Sequence, residues 1–326
     1  MMPIETIQVC AFYKFIPIKD LPSLRETLLQ DLRDYQIKGT IIIAEEGING
    51  TISGEASSMQ SLINTLQQRD QIGVFEYKIS ITTQHPFYRT KVKIKKEIVT
   101  MGRGDLNPAE NRGTYVKAAD WNALLADPEV LLIDTRNDYE VEIGRFKGAQ
   151  NPNTQTFRSF PDYVEQHLDR NKHRKIAMYC TGGIRCEKST AYLKSQGFEH
   201  VYHLEGGILK YLEQVPESES LWQGECFVFD NRVTVNHQLQ AGEYDQCHAC
   251  RRPLSEQDKL SSQYAKGVSC PRCCDKKSPE QQQRYREREK QMNLAAKRGK
   301  VHIGSDGKTI GSDGKTIADK KTIKNN

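Results

Sequence analysis

Apolar residues recur along this chain in two rhythms, and the rhythm changes near residue 114. Residues 5–14 alternate in character as a strand does. Asp20-Leu-Pro-Ser-Leu then opens a helical stretch that carries Leu24, Leu28, Leu29 and Leu32 at helix spacing. Gly39-Thr-Ile-Ile-Ile-Ala reads as a buried strand, and Asn49-Gly50 as the hairpin turn leading into the next one. Residues 57–68 are helical in pattern and residues 75–82 strand-like. The order β-α-β-β-α-β predicts a ferredoxin-like domain, an antiparallel sheet with two helices on one face. Such folds host many functions, so topology alone does not choose one.

Beyond residue 114, short helices alternate with fully apolar strands. Residues 119–126 read as a helix, 130–134 as a buried strand and 160–168 as a helix. Residues 175–179 form a second buried strand, and 186–196 a helix closed by Gly197. Val201-Tyr-His-Leu and Gly206-Gly207 precede one more helix. This alternation predicts a parallel α/β sheet, whose ligands sit outside the carboxyl ends of the strands. Asp134 and Cys180 both fall at such ends.

At 326 residues the chain is long for one domain. The expected division is a ferredoxin-like domain at 1–110, a parallel α/β domain at 111–225, a cysteine-rich module at 226–278 and a basic helix with a tail at 279–326. No apolar run approaches membrane-spanning length, and MMPIETIQVC lacks the form of a secretory signal, so a cytoplasmic protein is expected. Nine cysteines in a reducing compartment point to metal binding or catalysis rather than a disulfide framework. Residues 281–326 hold 12 Lys/Arg against 5 Asp/Glu, while the whole chain carries only +5. A basic tail on a near-neutral body suits a polyanionic partner, and suits equally a solubilising extension. The tail duplicates seven residues, 304–310 and 311–317, in a polar, Gly-rich sequence expected to be disordered.

The sharpest chemical signal is Cys180-Thr181-Gly182-Gly183-Ile184-Arg185. A strand-to-helix turn with two glycines lets backbone N–H groups curl around the sulfur, and the following helix adds its positive end. Both favour the thiolate, which is the nucleophile. Arg185 adds a fixed charge able to hold an anionic reactant. Protein tyrosine phosphatases use Cys-x5-Arg, wide enough for phosphate; the x4 spacing here is one residue tighter and suits a sulfur carried as persulfide. The loop therefore resembles that of rhodaneses. Asp134-Thr-Arg136-Asn-Asp-Tyr-Glu140 looks like that family's Asp-x-Arg-x-x-x-Glu, with Arg145-Phe146 in place of its usual His-Ile. The resemblance gives Asp134, Arg136 and Glu140 a bracing role. Cys186 is either a resolving thiol or a small packed residue.

Two further groups stand outside the loop. Cys247-x2-Cys250 and Cys270-x2-Cys273, 19 residues apart, supply four thiolates for a structural zinc, with an iron–sulfur cluster as the alternative. Cys274 and His248 are spare. Arg89, Lys91, Lys93 and Lys95 would share one face of a strand beside Phe87 and Tyr88. That face could track phosphates and stack a base, or simply be the solvated outside of an edge strand.

Taken together, these domains, the run Cys-Thr-Gly-Gly-Ile-Arg-Cys-Glu-Lys at 180–188, Phe227-Val-Phe-Asp230-Asn-Arg232 and the paired Cys-x2-Cys make the chain resemble the bacterial tRNA uridine hydroxylases over about residues 5–290. The resemblance implies an enzyme that makes 5-hydroxyuridine at the wobble position, with tRNA as partner, molecular oxygen as co-substrate and Cys180 as active-site cysteine. The residues carry no flavin or nicotinamide fingerprint. Left to themselves they would also suit a generic sulfurtransferase, or an RNA-binding protein with a vestigial rhodanese domain.

Overall fold

The computed structural model describes residues 6–298 and, beyond them, the backbone of 309–310 and 316–317. The chain divides into two compact units, residues 1–87 with 91–243, and residues 88–90 with 244–326.

The first unit opens with β1 (Ile7–Phe15), α1 (Leu21–Asp34), β2 (Lys38–Ala44), β3 (Gly47–Glu55), α2 (Ala56–Gln67) and β4 (Tyr77–Thr82). With β5 (Thr90–Ile94) they form a five-stranded sheet of order β4-β1-β3-β2-β5. The predicted ferredoxin-like order is present, with β5 added at the β2 edge. Helix α1 starts where the Asp20 carboxylate accepts from the Ser23 amide, and it buries Leu24, Leu28 and Leu32 at helix spacing. With Met59, Leu62, Ile63 and Leu66 of α2, these leucines cover one sheet face.

Asn49-Gly50 does not make the hairpin turn expected of it. The turn is at Glu45-Glu46, and Asn49 and Gly50 lie inside β3. Packing explains their identity there: Asn49 Nδ2 donates to the Ile98 carbonyl at 3.0 Å, and a Cβ at Gly50 would meet the Phe12 ring at 2.6 Å.

The chain continues through α3 (Pro108–Asn111), β6 (Thr114–Val116), α4 (Ala118–Leu125), β7 (Val130–Asp134), α5 (Asp138–Val141), β8 (Gly144–Phe146) and α6 (Phe160–His167). It then forms β9 (Lys175–Tyr179), α7 (Ile184–Ser195), β10 (His200–Leu204), α8 (Gly207–Gln214) and β11 (Trp222–Gly224). Strands β6, β10, β9 and β7 pair in that order, all parallel, and β8 pairs with β11. The short hairpin β12 (Cys226–Phe227) and β13 (Thr234–Val235) belongs to this unit: Cys226, Val228 and Val235 share a core with Trp121, Tyr179 and Tyr211. The first unit runs on to Glu243, past the boundary expected at 226. The hairpin's apolar positions complete the α/β core instead of the cysteine module.

The second unit holds β14 (Asp245–Gln246), β15 (Pro253–Leu254), α9 (Glu256–Lys259) and the 19-residue α10 (Pro279–Lys297). Thr309–Ile310 (β16) pairs with Thr316–Ile317 (β17). The rest of the duplicated tail lies outside the described residues. Among those residues no helix is long and apolar enough to cross a membrane.

Candidate active site

Cys180 follows β9 directly, is fully buried as a residue, and opens onto the loop that leads into α7. The Gly183 amide donates to Cys180 Sγ at 3.1 Å, with Gly183 at φ 103°, a conformation side chains avoid. The carbonyls of Cys180 and Thr181 point the other way, where they accept from the Ile208 and Leu209 amides at 3.0 and 3.1 Å. Gly207 is what permits this closeness. A Cβ there would stand 2.5 Å from the Cys180 carbonyl oxygen and 2.8 Å from the Gly183 nitrogen. Gly207→Ala is accordingly expected to push the loop open and raise the pH at which Cys180 ionises. A thiolate absorbance titration unchanged from wild type would contradict this.

Burial by itself opposes a charge on Cys180. Overcoming it are an S–H bond from Cys186, the positive charge of Arg185 and the Cys186 and Gly183 amides, which together lower the Cys180 pKa to about 5. Burial and the neighbouring thiolate push the Cys186 thiol in the opposite direction, so it stays protonated and donates. Thr135 Oγ1 lies 3.6 Å from Cys186 Sγ. A folded-state pKa below the unfolded one adds stability above the unfolded value, and that stability is lost as pH falls through the folded one. The Cys180 thiolate should thus persist from alkaline pH down to about pH 5, which ultraviolet titration against Cys180→Ser checks.

Around the loop stand two buried ion pairs. Arg136 grips Asp134 through Nε and Nη2 at 2.6–3.2 Å and donates to the Glu140 and Gly144 carbonyls. Arg185 donates to both Glu140 oxygens at 2.7 and 2.8 Å, and to Thr181 Oγ1 at 3.3 Å. Arg185 pulls the Glu140 carboxyl below its ordinary pKa against the effect of burial. The guanidinium expected to hold a reactant is thus already bonded to Glu140. It acts on the sulfur as a charge and faces the Phe229 ring at 5.8 Å. Gly182 is open on the side where a Cβ would be, and Ile184 packs against the cluster of Phe15, Ala44 and Ile98.

Sequence reasoning missed what the N-terminal domain brings here. The sheet face opposite the helices is covered by the loop. Register sets Lys78, Ala11, Thr51 and Thr40 in one row and Tyr13, Asn49 and Ile42 in the next. Tyr13 and Tyr115 both donate to Glu187 Oε1, at 2.8 and 2.7 Å, and burial raises the pKa of that carboxyl. Lys188, fully buried on α7, bonds Glu46 at 2.8 Å, Glu97 at 2.5 Å and the Val99 carbonyl at 3.2 Å. Lys78 reaches the Gly182 carbonyl at 3.0 Å. Glu187 and Lys188 close the 180–188 run, but Tyr13, Lys78 and Tyr115 sit in no motif, and only tertiary folding gathers them. Phe229, by contrast, lies in the Phe-Val-Phe-Asp-x-Arg segment already conspicuous in the sequence.

Between sheet and loop is a cavity of about 450 Å³, lined by Cys180, Arg185, Lys78, Asn49, Phe157 and Phe229 among others. Its wall is mostly apolar, with a few convergent donors, as small-molecule sites usually are. Asp230 and Arg232 border it and repeat the Asp134–Arg136 grip, with Arg232 also donating to Ser80 at 2.8 Å. Arg89, Lys91, Lys93 and Lys95 do not line it. All four are exposed, on or beside β5, while Val92 between them is buried.

In the second unit the thiols of Cys247, Cys250, Cys270 and Cys273 lie within 4.8 Å of one another. Neighbouring sulfurs are 3.6–3.9 Å apart. A tetrahedron with metal–sulfur bonds of about 2.3 Å has edges of about 3.75 Å, so the four could hold a single metal ion such as zinc. Cys274 and His248 are not part of the set.

A parallel sheet presenting a cysteine thiolate at the head of such a loop defines a rhodanese-like domain. The rhodanese-like domain model matches residues 117–214. Residues 7–98 match the UPF0176 acylphosphatase-like domain, and the two in series are the architecture of the UPF0176 (tRNA hydroxylase) family. Solved structures similar to it include a rhodanese-like domain from Anabaena sp., at 21% identity over 34% of this chain and 78% of that one, TM-score 0.29. Another is a rhodanese-like protein from Staphylococcus aureus, at 23% identity over 33% and 97%, TM-score 0.27. A Rhodopseudomonas palustris protein described as a possible tyrosine phosphatase is similar at 21% identity over 32% and 83%, TM-score 0.28. The rhodanese-like domain supports a catalytic role for a cysteine.

Proposed function

We propose that this protein is a cytoplasmic tRNA-modifying enzyme that hydroxylates a wobble uridine at C5, with Cys180 as its catalytic thiol and molecular oxygen as co-substrate. The observation carrying the reading is the position of Cys180. Its thiolate opens into a cavity walled in part by the N-terminal acylphosphatase-like domain. A cavity of about 450 Å³ has room for a flipped-out nucleoside, and the Phe157 and Phe229 rings offer stacking surfaces for a base. tRNA from cells lacking the protein should be without 5-hydroxyuridine-derived nucleosides, and restoring the full chain should return them. Unaltered nucleosides in the deletion would refute it.

Arg89, Lys91, Lys93 and Lys95 give tRNA phosphates an exposed basic track in this account. Lys91, Lys93 and Lys95 changed together to Glu should weaken tRNA binding. The slope of log affinity against log salt should flatten by about 0.7–0.9 for each phosphate no longer neutralised. An unchanged slope would return these residues to a solvated edge.

A second reading, sulfur transfer from a small donor, is favoured by one feature: the x4 loop, sized for a single sulfur. It requires fast thiosulfate turnover and no dependence on tRNA. We expect slow turnover instead, because the N-terminal sheet covers the loop.

A further inference from the structure

Arg185 lends Cys180 less charge than its position suggests, because both of its terminal nitrogens bond Glu140. A second cation comes from the other domain. Lys78 lies opposite Ala11 on β4, and Ser80 opposite Val9, so both project from the sheet face that lines the cavity. Lys78 Nζ donates to the Gly182 carbonyl at 3.0 Å and stands 5.7 Å from the centre of the Tyr13 ring. Its Cε passes close to the turn before α8, since a Cβ at Gly206 would lie 3.2 Å away. The side chain is therefore held by both glycine elements that frame the sulfur.

The chemistry of the loop gives this hydrogen bond a purpose. For loop N–H groups to face the sulfur, the carbonyls must face outward, and each needs a donor. The carbonyls of Cys180 and Thr181 find theirs in α8, but that of Gly182 finds its own in Lys78. We propose that Lys78 is a positioning residue for Cys180, lent by the N-terminal domain. It fixes the Gly182 carbonyl outward and holds the sulfur as thiolate, so the reactive loop is complete only when both domains are present. The inference rests on Cys180 being the reactive thiol and not on which substrate it serves.

The surrounding charges set the terms of the test. Burial lowers the Lys78 pKa, and Lys210 lowers it further, while the Cys180 thiolate, Glu76 and Glu187 raise it. Cys180 in turn faces Arg185, Cys186 and Glu187 from the helix that follows it, and Lys78 and Tyr13 from the N-terminal sheet. In the full-length protein, the Cys180 thiolate is titrated by its ultraviolet absorbance, with Cys180→Ser as the blank. Lys78→Met should move the midpoint up by about one pH unit or more, the effect of losing an adjacent opposite charge. Lys78→Arg should restore it to within a few tenths. A Lys78→Met protein with the wild-type midpoint overturns the proposal, whatever its stability. If that variant does not fold, Lys78→Gln carries the same prediction and the same criterion. Because no tRNA is involved, the outcome is independent of whether uridine hydroxylation stands.

Discussion

Glu140→Gln is expected to cost the fold about 3–5 kcal/mol, the usual penalty for leaving one member of a buried ion pair behind. The carboxylate is fully buried and binds both terminal nitrogens of Arg185, a side chain only 8% exposed. It also accepts from the Asn137 amide at 3.1 Å, capping α5. An amide in its place can accept at one position and must point N–H groups at a guanidinium at the other. Urea unfolding should show a lower midpoint with an unchanged slope. The same variant should shift the Cys180 thiolate the opposite way from Lys78→Met. Removing a negative charge leaves Arg185 unopposed, so the thiol should ionise at still lower pH. A loss below about 1 kcal/mol would mean that the pair is not the brace it resembles.

Stripping a metal from the four-cysteine cluster should have a larger but local effect. The core of the second unit is Cys247, Leu254, Cys270 and Cys273, with Ala249, Cys250 and Tyr264 packed against it. Most of that core consists of candidate metal ligands, and four bare thiols have few apolar neighbours with which to hold β14, β15 and α9 together. Binding of a structural zinc to such sites is worth about 10–16 kcal/mol, and here it would be folding energy. We expect one equivalent of zinc per chain, and 3.6–3.9 Å sulfur spacings suit one ion better than a larger iron–sulfur cluster. Chelation, or Cys270→Ser, should open residues 244–298 to proteolysis while the first unit keeps its unfolding transition. A second unit that stays protease-resistant after the metal is stripped would contradict this.

Much of this molecule was legible before folding because its signals are local. The period-3.6 leucines of α1, the apolar run that becomes β9 and the two Cys-x2-Cys pairs each declare themselves within a few residues. The glycines of the Cys180 loop did so as well, since the turn they make is short. Asn49-Gly50 misled because the same dipeptide that suits a turn also suits a strand where a ring and a carbonyl press against it. Tyr13 and Lys78 were invisible for a different reason. Each is an ordinary strand residue, and the partners that give it meaning lie 104 to 174 positions away in the chain. Arg185 was legible as a cation, but not as one already committed to Glu140.

The most direct test of the central claim is nucleoside mass analysis of tRNA from cells whose only copy of this protein carries Cys180→Ser. A thiolate that does the chemistry predicts loss of 5-hydroxyuridine and its derivatives at the wobble position, with the variant protein folded and present at normal levels. Wobble uridines modified to the wild-type extent in those cells would contradict the account.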